Sequence, residues 1–121
     1  MPYTIGEVAR MMNIAPSTLR YYEKEGLLSL GVRASNGQRT YTDDDIATLS
    51  IIEYLKFCGL PLKEIRSFLP LVQPGGETLE ARRAIMAKER DNVLAQIAAL
   101  QTKLERLEFG CWFYETAQQY G

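Results

Sequence analysis

The chain has no histidine among its 121 residues, which removes the commonest general base and the commonest metal ligand together. It has two cysteines, Cys58 and Cys111, too few for a disulfide framework, so a reducing cytoplasm is the default compartment. It carries almost no net charge: 14 Lys and Arg against 15 Asp and Glu leave −1. No apolar run approaches the roughly 18 residues that span a bilayer. The opening MPYTIGEVAR has no charged region followed by an apolar core, so neither a membrane span nor a signal peptide is expected. Glycine-rich phosphate loops, a GxSxG elbow and a CxxC pair are also missing. These absences leave catalysis almost nothing to stand on: no catalytic residue, cofactor or metal ligand set is expected.

What is present is order. Thr4 and Glu7 have capping-box spacing, and Ile5, Val8, Ala9 and Met12 then share one face of a two-turn helix. Asn13 suits the left-handed residue that ends it. Pro16 suits the first turn of a second helix running to Gly26, with Ile14, Leu19, Tyr22 and Leu27 as its apolar side. Asn36-Gly37 is a strong hairpin signal, and Gln38-Arg39-Thr40-Tyr41 alternates after it like an outgoing strand. Thr42 with Asp43, Asp44 and Asp45 reads as an N-cap and a dipole-stabilised first turn, not a metal site. The third helix carries Ile46, Leu49, Ile52 and Leu55 and stops at Gly59; Pro61 opens a fourth, ending near Leu69.

Pro70 and Gln73-Pro74-Gly75-Gly76 break the pattern. The expected division is a winged helix-turn-helix over 1–70, a linker over 71–77, one helix over 78–108 and an aromatic tail over 109–121. In the long helix Met86, Val93, Leu100 and Leu107 recur every seven residues, with Ile97 and Leu104 at the offset positions. A lone helix with such a stripe is marginal in water, so it needs a partner, and spacing leaves parallel and antiparallel pairing open. The tail holds Phe109, Trp112, Phe113, Tyr114 and Tyr120, with Gly110 as the expected hinge.

TIGEVAR, APSTLRYYEKEGLL, NGQRTY and the DDDIATLSIIEYLKFCGLPLKEI block, followed by a long helix, together resemble the MerR family of bacterial transcription regulators. The resemblance covers 3–69 in motif detail and 78–108 in architecture. It implies a mainly α fold, a winged helix-turn-helix joined to an antiparallel coiled coil that pairs two subunits. It further implies binding to a pseudo-palindrome in double-stranded promoter DNA whose spacer is overlong. Distortion of that spacer would let RNA polymerase engage, an indirect partnership resting on shape readout and DNA deformation.

Carried over position by position, the second helix would enter the major groove and put Ser17, Thr18 and Arg20 against base edges or phosphates. Tyr21 would use its phenol on the backbone, with Tyr22 more buried. Arg39 and Tyr41, with Arg33 beside them, would form the wing's grip, and Lys56 would touch phosphate. Residues 1–66 hold eight basic and eight acidic side chains, so Arg20, Arg33, Arg39 and Lys56 are expected to share a face while the acids point away. Metal-sensing members use a cysteine near the start of the dimer helix, and Val72 to Leu79 contains none. Small members that respond to aldehydes or nitrosative stress use one in the third helix, at the position of Tyr54; Cys58 lies four residues on. Cys58 therefore reads first as a small apolar residue. Cys111, Trp112 and Tyr114 are the remaining candidates for an effector or redox site, with plain packing favoured for the aromatic ones. The alternatives to a regulator are an architectural, excisionase-like DNA-bending protein and a protein-interaction adaptor.

Overall fold

The computed structural model describes residues 2–28, 32–33 and 36–121, with backbone alone for Val32 and Arg33. These fall into two units, Met1–Ile85 and Met86–Gly121. In the first, β1 (Tyr3–Thr4) leads into α1 (Ile5–Met12) and α2 (Pro16–Lys24). The wing strands β2 (Val32–Arg33) and β3 (Arg39–Tyr41) follow, then α3 (Asp43–Phe57), α4 (Leu62–Phe68) and a 3-10 turn over Leu69–Leu71. The helix α5 (Leu79–Tyr120) begins in the first unit and fills the second.

The punctuation expected from sequence sets these boundaries. Thr4 Oγ1 accepts from the Glu7 amide at 3.1 Å while Glu7 Oε1 accepts from the Thr4 amide at 2.9 Å. Thr42 and Asp45 repeat the device at the start of α3, at 3.2 and 2.9 Å. Each box satisfies two amides that a helix start leaves unpaired. Asn13 ends α1 at φ 54°, and its own amide bonds back to the last turn. Gly26 and Gly59 follow α2 and α3 at φ 77° and 93°, a region costly for other residues.

The sheet adds a strand that periodicity did not show. Its order is β1-β3-β2, all antiparallel, with Tyr3 opposite Tyr41 and Arg33 opposite Arg39. The extra edge is two residues long, too short for an alternation to register. The Tyr3 hydroxyl donates to Asp43 Oδ1 at 2.7 Å, so the same residue ties β1 to the start of α3. Beneath the sheet and helices Val8, Leu19, Tyr22, Tyr41, Leu49, Ile52, Leu55 and Ile65 are fully buried, one core shared by α1 to α4 and β3.

Two expectations about the C-terminal part are corrected. The helix does not end at Glu108, and Gly110 is not a hinge: α5 continues unbroken to Tyr120. A single glycine costs a helix about 1 kcal/mol, which good helix formers on both sides outweigh, and no proline follows it. No residue of α5 is buried, and Val93, Ile97, Leu100, Leu104 and Leu107 are all exposed, whereas Met86 is half-buried. Among the described residues no helix is long and apolar enough to cross a membrane.

Candidate nucleic-acid interface

The helix α2 has a buried and an exposed side because its apolar residues follow helical spacing. Leu19, Tyr22 and Glu23 face inward, whereas Ser17, Arg20, Tyr21 and Lys24 are exposed and Thr18 is half-buried. Its N-cap, Ala15, makes no side-chain cap, and Pro16 occupies the first turn. The Thr18 and Leu19 amides both return to the Ala15 carbonyl, at 2.9 and 3.3 Å, which leaves the Ser17 amide as the open donor at this end. Arg20 makes no hydrogen bond or ion pair with the described residues, so its guanidinium is uncommitted.

Two clefts flank this helix. One, of about 710 Å³, lies between α2, the start of α1 and the wing, and Arg20, Lys24 and Arg39 border it. The other, of about 670 Å³, lies between α2, α3 and α4, with Ser17, Thr18, Tyr21 and Lys56 on its rim. The sequence-derived residues thus come together around one helix, apart from Arg33, whose side chain lies outside the described residues.

Tyr41 is a correction. Expected to touch DNA, it is 0% exposed and donates its hydroxyl to Glu23 Oε1. Residues two apart on a strand share a face, so Arg39 and Tyr41 do point the same way. That face is turned toward α2. The other carboxylate oxygen of Glu23 takes the Arg39 Nη1 donor. Burial, reinforced by the adjacent carboxylate, pushes the Tyr41 phenol well above its ordinary pKa. Glu23 is the residue that sequence reading passed over. The available signal was an acid on the inward stripe of α2 beside Leu19 and Tyr22, where a charge needs partners.

A second set of contacts holds Lys56. Its Nζ donates to the Tyr22 hydroxyl at 2.6 Å, lies 3.7 Å from Glu53 Oε2, and sits 5.1 Å from the centroid of the Tyr22 ring. The Tyr22 hydroxyl in turn donates to Glu53 Oε2 at 2.9 Å. Hydrogen bonding to Tyr22 holds the Lys56 ammonium above its usual pKa, while burial raises that of Tyr22. The acids therefore do not all point away from the basic residues: Glu23 and Glu53 lie against Arg39 and Lys56. Among the described residues, the cations on this surface without an acid partner are Arg20 and Lys24.

Cys58 is the half-buried C-cap of α3 and Cys111 is exposed on α5; both are free thiols. Trp112 and Tyr114 are exposed along α5, where Phe109 packs on Trp112 at 5.8 Å between ring centroids. Among the described residues no group of three His, Cys, Asp or Glu is placed to hold a metal ion.

Residues 3–71 match the family described as MerR HTH family regulatory protein, and residues 46–108 match that described as MerR, DNA binding. An uncharacterized HTH-type transcriptional regulator of Haemophilus influenzae is 38% identical over 121 residues, 100% of this chain and 90% of that one. The HTH-type transcriptional regulator ZntR of Escherichia coli is 35% identical over 113 residues, 90% of this chain and 80% of its own. Among solved structures, HiNmlR, a MerR family regulator lacking the sensor domain and bound to promoter DNA, superposes with a TM-score of 0.66. It is 38% identical, with 98% of this chain and 94% of that chain covered.

Proposed function

Since the chain belongs to the MerR family and is a DNA-binding transcription regulator, we propose that it works as a homodimer on a two-fold promoter operator. The observation that carries this reading is the arrangement around α2: an exposed face of Ser17, Arg20, Tyr21 and Lys24 between two clefts, each bordered by an anchored cation. A helix of that kind enters the major groove, Arg20 forking onto a guanine edge or a phosphate. Arg39 and Lys56 then grip the backbone on its two flanks, contacts that fix register without reading sequence.

Dimerisation follows from α5. Val93, Leu100 and Leu107 with Ile97 and Leu104 form an exposed stripe on a helix that has no buried residue. Leaving that stripe in water is unfavourable, and a second copy is the partner whose own stripe matches it. Pairing also explains how a neutral module binds a polyanion, because every phosphate contact is doubled across the two-fold axis. Activation would come from bending and untwisting an overlong spacer so that RNA polymerase engages both promoter elements, the strain offset by backbone contacts. The site of action is the bacterial cytoplasm.

Selection of bound genomic fragments in vitro, followed by footprinting at physiological salt, tests the reading. The expected result is a protected pseudo-palindrome inside an overlong promoter spacer. Weak, salt-sensitive binding with no enriched site would overturn it in favour of an architectural protein.

A further inference from the structure

Consecutive residues of an α-helix point about 100° apart, so two neighbours on its inner side reach different elements. Tyr22 and Glu23 do this. Glu23 reaches the wing, where its carboxylate binds Arg39 and the Tyr41 hydroxyl. Tyr22 reaches α3, where its hydroxyl binds Lys56 and Glu53. The Glu23 side chain is only 1% exposed, and a buried charge of this kind contributes little stability beyond what an apolar residue of similar volume would. Stability alone therefore does not account for a carboxylate at this core position.

Each of the two residues holds a cation. The Arg39 and Lys56 side chains remain 34% and 46% exposed although each is fastened at its polar end. Arginine has five N–H donors and the ammonium three, so both keep donors for a further anion. The two cations border different clefts of α2, yet are held from adjacent residues of that helix.

We propose that Tyr22 and Glu23 are positioning residues for DNA binding, setting from one turn of the groove helix the places of Arg39 and Lys56 on its two sides. The spacing between two phosphate contacts is then built into the same helix that meets the bases. A cation that is present but free of its anchor still attracts DNA, but does not select the backbone position that accompanies the correct base register. The idea rests on the groove-helix reading above.

The test uses the full chain with the fragment most enriched in the selection and a random-sequence duplex of equal length. Glu23→Gln removes the charge but keeps an acceptor for Tyr41, and Tyr22→Phe removes the hydroxyl but keeps the ring under Lys56. Each is expected to weaken binding to the enriched fragment about tenfold, within the range of couplings inside one hydrogen-bond network, and to leave binding to the random duplex unchanged. In an Arg39→Ala background Glu23→Gln should then have no further effect, and likewise Tyr22→Phe in a Lys56→Ala background. Equal losses on both DNAs, or full additivity in either background, would overturn the proposal, because a purely structural role survives removal of the cation. Should Glu23→Gln melt at the assay temperature, Tyr41→Phe in the same Arg39 cycle provides the reading, since it loosens the carboxylate without altering charge. If the unsubstituted protein shows no preference for the enriched fragment, the groove-helix reading itself fails, and the positioning role with it.

Discussion

Tyr41 shows how a residue of the expected type at the expected place can have a different task. Strand alternation put it level with Arg39, but only the packing of β3 on α2 decided that their shared face is the inner one. Its chemistry makes a checkable prediction. The phenols of Tyr41 and Tyr22 are raised above the ordinary value of 10.0, chiefly by burial, and the Lys56 ammonium above 10.5 by its bond to Tyr22. For each group the unfolded chain loses the proton first. Their contribution is therefore complete below about pH 10 and declines as pH rises toward the folded values. The unfolding free energy from denaturant titrations should hold to about pH 9 and fall from about pH 10 upward, by at most ~1.4 kcal/mol per pH unit for each of the two phenols and by less for the Lys56 ammonium, which solvent screens. Tyr41→Phe should flatten part of that fall, and an unchanged profile would contradict the buried-phenol account. Cys58, half-buried at the α3 C-cap, should tolerate replacement by serine with DNA affinity unaltered. A binding assay before and after thiol oxidation, in both proteins, checks whether the sulfur senses anything.

Elements were read best where a cap or a breaker marks their ends. The Thr4–Glu7 capping box, the Thr42 N-cap, the left-handed Asn13 and the glycines after α2 and α3 are local devices, and each lies where residue type and spacing placed it; that Asp45 completes a second box appears only in the structure. Thr42→Ala should cost about 1 kcal/mol, the usual loss for an N-cap hydroxyl, as read from urea denaturation. What failed were features without local signals. β1 is two residues long and exists only because β3 lies beside it. Gly110 looked like an ending, yet α5 runs through it. Gly110→Ala should accordingly stabilise the helix by about 0.5–1 kcal/mol, seen as a higher melting temperature; a lower one would mean that close packing in the dimer needs the missing side chain.

For the molecule as a whole, charge placement matters more than net charge. Glu23 and Glu53 offset Arg39 and Lys56, so among the described residues around α2 the free positive charge is that of Arg20 and Lys24. Arg39→Ala should weaken binding to all DNA sequences and reduce the salt dependence by about one phosphate contact per subunit. An unaltered salt slope would remove Arg39 from the interface. Leu100→Asp puts a charge into the α5 stripe and should yield monomers by light scattering, with operator affinity lost alongside; a variant still dimeric would refute the seam.

By itself the amino-acid sequence determined the order and type of the main helices, the wing turn, the family, and the stripe on α5. These depend on interactions within a few residues or on a repeat, and both are written linearly. The tertiary structure decided which wing side chain is buried, which acids lie beneath which cations, and that Glu23 joins wing to groove helix. Those outcomes depend on atoms 16 to 34 residues apart meeting across the core. No local propensity encodes such meetings, because the cost of burying a carboxylate or a phenol is settled only by the partner it finds there.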